Sequence, residues 1–213
     1  MSRVLPILFN TEMVRAILDG RKTCTRRLVR FLPGENPQWT GYIRDGLMLY
    51  NGRNEPCIIK APYQPGDTLY VRETWCGLPV NEAGHMRGHT IYYYKADGEL
   101  RPKGWRRTWH PSIHMPKEAA RIWLKVTDVR VERLQSITEG GAVKEGIYVA
   151  NCKDCNAPFG CDVCPDEGYN EIDEFVELWN STIKKSDLDR YGWYASPWVW
   201  VIEFERCEKP EYA

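Results

Sequence analysis

The stretch TEMVRAILDGRKTCTRR, residues 11–27, decides how the fold begins. Asn10 or Thr11 offers a side chain that can cap the first turn of a helix. Apolar residues then recur at helical spacing: Met13, Val14, Ile17 and Leu18. Gly20 stands where a helix end favours a left-handed residue. The sequence therefore predicts a short helix that ends at this glycine.

The segment after Gly20 is predicted to be extended, and it is strongly basic. Alternation along a strand separates its side chains into two sets: Lys22, Cys24 and Arg26 on one side, Thr23, Thr25 and Arg27 on the other. The letters GRKT resemble the end of a phosphate-binding P-loop, but that motif places glycine directly before the lysine and opens a helix. Here Arg21 intervenes and the helix comes first, so we reject a P-loop.

Strand patterns dominate the rest of the chain. β-Branched and aromatic residues mark four of them: VLPILF (4–9), TLYVRETW (68–75), ARIWLKVTDVRVERL (120–134) and PWVWVIEFERC (197–207). Ser136 and Glu139 form the pattern of a capping box, which predicts a helix from there to about Gly146. A second helix is predicted within 170–184, while 76–120 is predicted to be irregular apart from TIYYYKA (90–96). This order indicates an α+β fold whose core is a curled sheet or small barrel.

Composition limits the class of protein. The 213 residues carry no net charge, so charge alone neither favours nor excludes nucleic acid. No apolar run approaches the roughly 20 residues that span a bilayer, and the start of the chain lacks the cleavage site of a secretion signal. We therefore expect a soluble cytoplasmic protein without a membrane partner.

Four of the eight cysteines form two close pairs. They are Cys152, Cys155, Cys161 and Cys164. Two C-x-x-C pairs so close together are typical of a metal site, and four thiolates predict a structural, tetrahedral zinc ion with no open position for catalysis. An iron–sulfur cluster is the alternative for the same ligands. The remaining cysteines are scattered and are predicted to be buried thiols.

Gly20, Lys22 and Arg27 form the pattern G-x-K-x-x-x-x-R, which resembles the signature of the ASCH domain family. Further blocks agree in order: PGDTLYVRETW (65–75), WLKVTDVRVERLQSITEGGAVKEGI (123–147) and SPWVWVIEFER (196–206). Together with WHPSIHMP (109–116), they resemble a phage and prophage branch of the family. The resemblance implies one ASCH domain over 1–213, a small barrel similar to PUA domains with flanking helices, and insertions at about 32–62, 76–119 and 148–169. The last of these would be a zinc-knuckle-like insert.

The resemblance also implies a function. ASCH domains are associated with RNA or nucleotide recognition, and one small bacterial class removes acetyl from N(4)-acetylcytidine. Its motif carries Lys22 over as base, Thr25 as nucleophile and Glu145 as the group that orients or protonates the leaving amine. Amide hydrolysis needs such a nucleophile and proton acceptor. An activated water is the alternative nucleophile, and a non-catalytic module that binds RNA or a modified nucleoside is the alternative function.

Candidate residues for binding RNA or a nucleoside are basic, aromatic or close to the motif blocks. They are Arg21, Arg26, Arg27, Arg72, Glu73, Trp75, Arg106, Arg107, Trp109 and His114. Arginine suits phosphate, and a base can stack on an indole ring. Each has a plainer alternative: an Arg72–Glu73 cross-strand ion pair, a tryptophan buried for packing, or a histidine in an ordinary loop.

Overall fold

The computed structural model describes residues 2–30, 38–43, 46–50, 56–80, 89–98, 108–147 and 171–211. Over these ranges the chain is mixed α+β, with more strand than helix, as its sequence predicts. Its strands are β1 Val4–Leu8, β2 Cys24–Leu28, β3 Gln38–Ile43, β4 Gly46–Tyr50, β5 Pro56–Lys60, β6 Thr68–Arg72, β7 Trp75–Val80, β8 His89–Tyr94, β9 Trp123–Arg133 and β10 Trp198–Cys207. Its α-helices are α1 Thr11–Leu18, α2 Glu139–Lys144, α3 Glu171–Thr182 and α4 Leu188–Tyr191. Short 3₁₀ turns include Lys95–Asp97, Ser112–His114, Lys117–Ala119, Leu134–Ser136 and Trp193–Ala195.

The chain divides into two compact units, each assembled from separate segments. Unit 1 takes residues 1–20, 66–125 and 205–213, and unit 2 takes 21–65 and 126–204. Strands β9 and β10 contribute residues to both. The single ASCH domain with three insertions stays a prediction.

Unit 1 is built on three strands and one hairpin. β1 runs parallel to β6, and β6 pairs antiparallel with the start of β9, so that Leu69 lies opposite Leu124. β7 and β8 form a separate antiparallel pair. The Asn10 side chain caps α1 by accepting a hydrogen bond from the Met13 N–H at 2.8 Å, and Gly20 follows the helix with φ +77°. Both ends of this helix are therefore as the sequence predicts. Buried apolar residues of the unit include Ile7, Val14, Ile17, Leu69, Val71, Ile122 and Leu124.

Unit 2 contains the basic strand. β2 pairs antiparallel with β10, from Cys24 opposite Glu203 to Leu28 opposite Val199. β3, β4 and β5 form an antiparallel sheet of their own. Helices α2 and α3 contact each other and supply Ala142, Phe175 and Trp179 to the hydrophobic core. The other buried members of this core are Cys24, Leu134, Ile137, Val199 and Val201. The core fixes α2 against the basic segment that contains Lys22 and Arg26.

Two sequence predictions of local structure are wrong. The N-cap of α2 is Thr138, whose hydroxyl accepts from the Gly141 N–H at 3.1 Å. Ser136 cannot fill that position, because it closes the 3₁₀ turn that brings Ile137 into the core. In addition, all of β7 after Trp75 lies in the segment that was predicted to be irregular. Pairing with β8 along its whole length overrides the local preferences of that segment.

The sheets are open over the described part of the chain. The α+β class is thus confirmed, while a closed PUA-like barrel stays a prediction. Among the described residues, no helix is both long enough and apolar enough to cross a bilayer.

Candidate functional site

A buried charge cluster joins the basic strand to the end of α2. The Lys22 ammonium donates to Glu145 Oε2 at 2.6 Å and to the Glu145 backbone oxygen at 2.8 Å. Arg26 Nη1 donates to Glu145 Oε1 at 3.1 Å. The three side chains are 0%, 4% and 3% exposed for Lys22, Glu145 and Arg26, so the carboxylate is enclosed between two cations. The structure therefore brings together two residues, 22 and 145, that the sequence paired only through a resemblance.

The backbone explains why Glu145 faces Lys22. The two residues form an antiparallel bridge, and the Thr23 N–H donates to the Lys144 oxygen at 2.9 Å. Helix α2 ends in a Schellman motif: the N–H of Ile147 reaches the Ala142 oxygen, and that of Gly146 reaches the Val143 oxygen. Gly146 has φ +90°, a conformation that glycine adopts without steric cost. The glycine after Glu145 therefore sets the direction of the chain at the cluster.

Burial and charge act in opposite directions on Lys22. Loss of water lowers the pKa of its amine, and the adjacent Glu145 carboxylate partly opposes that shift. The nearby Cys24 thiol has its pKa raised to about 12, because it is buried and lies near the same carboxylate. Cys24 is consequently a protonated, unreactive thiol at neutral pH.

Arg26 contacts a second acid as well. Its Nη2 lies 3.5 Å from Glu132 Oε2, while its buried Nε has no hydrogen-bond partner within the described residues. An unpaired buried donor costs free energy.

Thr25 lies away from the cluster. It is 2% exposed and stands opposite Ile202 in the pairing of β2 with β10. Because successive strand residues face opposite sides, Thr25 is on the other face of β2 from Cys24 and Arg26. The cluster thus contains two members of the predicted catalytic set, Lys22 and Glu145, and this geometry does not align Thr25 with them.

A cleft of about 560 Å³ lies along β2 in unit 2. We call it the unit 2 cleft, and its lining combines cations, aromatic rings and aliphatic side chains: Arg26, Arg27, Leu28, Arg30, Ile59, Lys60, Pro62, Tyr63, Trp179, Thr182, Ile183 and Trp200. No carboxylate belongs to this described lining. Its volume falls in the range of about 300–1,000 Å³ that is usual for sites of small ligands.

Arg27 is the half-buried cation of this cleft, whereas Arg30 and Lys60 are exposed. Burial lowers the pKa of Arg27, and interactions with Tyr63 and Glu145 oppose the shift. Burial also raises the pKa of Tyr63, so its phenol stays neutral. An arginine keeps its charge at any such pKa, and partial burial strengthens its attraction for an anion.

Four of the other predicted binding residues have structural partners in their own units. In unit 2, Arg21 donates to the Gly146 backbone oxygen at 2.9 Å. In unit 1, Arg72 donates to the Ile113 oxygen, and Trp75 packs against His110 with ring centroids 5.1 Å apart. Glu73 pairs with Arg121 at 2.9 Å.

The Arg72–Glu73 ion pair, one of two alternatives from the sequence, does not form, because the Glu73 carboxylate pairs with Arg121 instead. Trp109 is half-buried and His114 is exposed in unit 1. The remaining predicted residues lie outside the described ranges: Arg106, Arg107, Cys152, Cys155, Cys161 and Cys164.

Sequence reasoning missed the aromatic side of the unit 2 cleft. Trp179 and Trp200 lie in regular helix and strand patterns and are at least nine-tenths buried, yet they also line the cleft. Tyr63 and Lys60 were not singled out at all. Trp200 lies directly opposite Arg27, a register that no pattern in either strand discloses.

Neither possible metal ligands nor comparisons with known proteins assign a further role to residues of this chain. Among the described residues, no group of three or more His, Cys, Asp or Glu side chains could hold a metal ion. Comparisons with protein-family models, with curated proteins and with solved structures each gave no match to this chain.

Proposed function

We propose that this protein recognises a pyrimidine nucleotide, free or within RNA, in the unit 2 cleft. The observation that carries the proposal is the lining itself, which offers four cations and three aromatic side chains with no carboxylate among its described members. A phosphate needs the cations, and a base needs a ring to stack on. An RNA or modified-nucleoside partner and a cytoplasmic location belong to the same proposal.

The burial of each residue that lines the unit 2 cleft indicates its role in binding. Arg27 is partly shielded from water and is the strongest candidate for a phosphate contact, because a desolvated guanidinium attracts an anion more strongly than an exposed one. Arg30 and Lys60 are exposed and extend the positive surface along the backbone of an RNA. The rings of Tyr63 and Trp200, which line the same cleft, are the candidates for contact with the base.

Calorimetric titration with cytidine 5′-monophosphate and with cytidine tests this proposal. We expect the nucleotide to bind at least about tenfold more tightly, because one charge-assisted contact contributes about 1.5–3 kcal/mol. The advantage should shrink as salt is added, since mobile ions screen the phosphate. Equal affinities at low salt, or an advantage that salt leaves unchanged, would contradict the proposal.

The family assignment supports the same ligand class. We propose that the chain is an ASCH-like domain whose sheet belongs to a PUA-like barrel. The support is the order of the four motif blocks in the sequence and the contact between Lys22 and Glu145 at 2.6 Å. Lys22 belongs to the first of these blocks and Glu145 to the third, and 123 positions separate them.

A second candidate function is hydrolysis of an N-acyl pyrimidine such as N(4)-acetylcytidine. The observation that favours it is the Lys22–Glu145 pair together with the lowered pKa of Lys22. A shared proton can pass between the two groups, which gives a neutral amine and a neutral carboxylic acid. In that state Lys22 can accept a proton and Glu145 can donate one, as general base and general acid.

The step balances with water as the nucleophile. The water oxygen forms a bond to the acyl carbon, and Lys22 Nζ takes its proton. The C–N bond then breaks as Glu145 gives a proton to the exocyclic nitrogen of cytidine, and acetic acid leaves and loses its proton to solvent. Water replaces Thr25 in this scheme, because Thr25 faces the other side of β2. Lys22 is 0% exposed, so the pair must open before a substrate can reach it.

An assay of acetylcytidine turnover distinguishes hydrolysis from binding alone. If the chain hydrolyses the amide, we expect Lys22→Met to reduce turnover by about 10²–10⁴-fold, the usual contribution of a general base, while Thr25→Ser retains it. A matched control is Lys184→Met, which removes an exposed lysine of unit 2. Absence of cytidine release by the wild-type protein would leave binding as the function.

We also propose that Cys152, Cys155, Cys161 and Cys164 hold a structural zinc ion. The support is the sequence pattern alone, and four thiolates are a donor set that zinc favours. Elemental analysis of the purified protein should find one zinc per chain, and Cys155→Ser should lose it. Iron with inorganic sulfide in place of zinc would identify a cluster instead.

A further inference from the structure

A second cleft lies beside β8 in unit 1. We call it the unit 1 cleft; its volume is about 230 Å³ and its lining residues are Tyr92, Tyr93, Tyr94, Asp97, Gly98, Trp109 and Arg121. This volume is below the usual range of about 300–1,000 Å³ for drug-sized ligands, so a single ring system suits it better than a whole nucleotide. We infer that the unit 1 cleft binds one nucleobase that carries an exocyclic amine.

The aromatic walls are fixed in place. The Tyr94 hydroxyl donates to the Ala119 backbone oxygen at 2.6 Å, and the Arg121 guanidinium lies 4.0 Å from the centre of the Tyr94 ring. Rings held in this way lose little freedom when a planar ligand stacks on them, which favours binding.

Donor and acceptor groups stand side by side in the same wall. Arg121 uses three of its five N–H groups, two towards Glu73 at 2.9 and 3.0 Å and one towards Asp97 Oδ2 at 2.7 Å. Its other two N–H groups, and the Oδ1 atom of Asp97, have no hydrogen-bond partner within the described part of the chain. An amino-bearing base edge complements this pair, because its amine donates to a carboxylate and its ring nitrogen accepts from an arginine.

The described lining offers no unpaired cation for a phosphate. Asp97 is its acid and Arg121 its cation, and Arg121 already pairs with Glu73 and Asp97. A nucleotide would therefore enter through its base rather than through its phosphate. This inference does not rest on the proposed function, because the unit 2 cleft has four cations and no carboxylate in its described lining and shares no residue with the unit 1 cleft.

Calorimetric titration with the uncharged nucleosides cytidine and uridine tests the inference. The protein carries Tyr63→Ala in every arm, because Tyr63 is a candidate for contact with the base in the unit 2 cleft. We expect cytidine to bind more tightly than uridine, with an affinity that salt leaves unchanged. Trp109→Ala should weaken cytidine about 5- to 150-fold, the range for loss of one stacking ring. Trp109→Phe, which keeps a ring, should retain most of the affinity.

Tyr194→Ala is the matched control, because Tyr194 is an aromatic residue of unit 2 that is 89% exposed and lines neither cleft. It should leave the cytidine affinity unchanged. A second variant, Asp97→Asn, exchanges the acceptor for an amide and should lower the preference for cytidine over uridine. No cytidine binding, the same affinity after Trp109→Ala in a folded protein, or an unchanged preference after Asp97→Asn would overturn the inference.

Discussion

Replacing Glu145 by glutamine should lower the free energy of unfolding by about 3–5 kcal/mol, the usual effect of removing one partner from a buried ion pair. Glutamine keeps the shape and one oxygen acceptor but removes the negative charge between Lys22 and Arg26. Both cations would then remain buried with too little compensation. Urea unfolding followed by circular dichroism measures the change through its midpoint and slope.

The control is Glu139→Gln, which removes an exposed glutamate from the same helix, α2. It should change stability by no more than about 1 kcal/mol, through the helix dipole. Adding Lys22→Met to Glu145→Gln should recover part of the loss, because it removes one of the uncompensated charges. A loss below about 1 kcal/mol in Glu145→Gln would show that the pair is not buried in solution.

Stability should also change with pH in a definite direction. The pKa of Lys22 is lower in the folded protein than its ordinary value of 10.5. Between the folded and unfolded pKa values of Lys22, the unfolded chain binds more protons than the folded protein. The contribution of Lys22 to the free energy of unfolding therefore rises with pH in that window. Glu145→Gln removes the group that raises this pKa, and the rise should therefore begin at a lower pH. Unfolding curves recorded at several pH values, compared with those of Lys22→Met, isolate the effect.

The first helix and the strand after it could be predicted from the sequence, because local signals decide them. The Asn10 cap and Gly20 act within one turn of α1, and the alternation from Lys22 into β2 correctly places Lys22 and Arg26 on one side, where both contact Glu145. A local signal also misled: Ser136 fits a capping box, but the buried contacts of Ile137 shift the cap to Thr138. Tertiary packing thus overrides a local capping pattern.

The contact between Lys22 and Glu145 could not be predicted from local sequence patterns. Neither residue carries a signal of burial, since charged side chains are normally exposed, and only the family resemblance related them. The aromatic side of the unit 2 cleft was missed for a related reason. Trp200 reaches it through the register of β10 with β2, and pairing registers depend on contacts that single strands do not encode.

The ion pair of Arg121 with Glu73 in unit 1 was likewise not predictable from local sequence patterns. It follows two alanines in a segment without a motif, yet it neutralises the buried Glu73 carboxylate and also contacts Asp97 and Tyr94. Burial raises the pKa of Glu73, and the hydrogen bonds from Arg121 oppose that shift. The sequence offered an ion pair of Arg72 with Glu73 as one alternative. Folding selected a residue 48 positions away.

Replacing Arg27 by glutamine should weaken binding of cytidine 5′-monophosphate about 10- to 150-fold, which corresponds to the loss of one charge-assisted contact of about 1.5–3 kcal/mol. Arg27 is the half-buried cation of the unit 2 cleft, and glutamine can offer only one neutral amide in its place. Arg190→Gln removes an exposed arginine of unit 2 that does not line the cleft and should have little effect.

Titration of these three proteins with the nucleotide at low salt is the most direct test of the central claim. The account predicts measurable binding by the wild-type and Arg190→Gln proteins, together with a loss of at least about tenfold in Arg27→Gln. Circular dichroism should confirm that all three remain folded. A nucleotide affinity that is the same in folded Arg27→Gln as in wild type, or no binding by the wild-type chain, would contradict it.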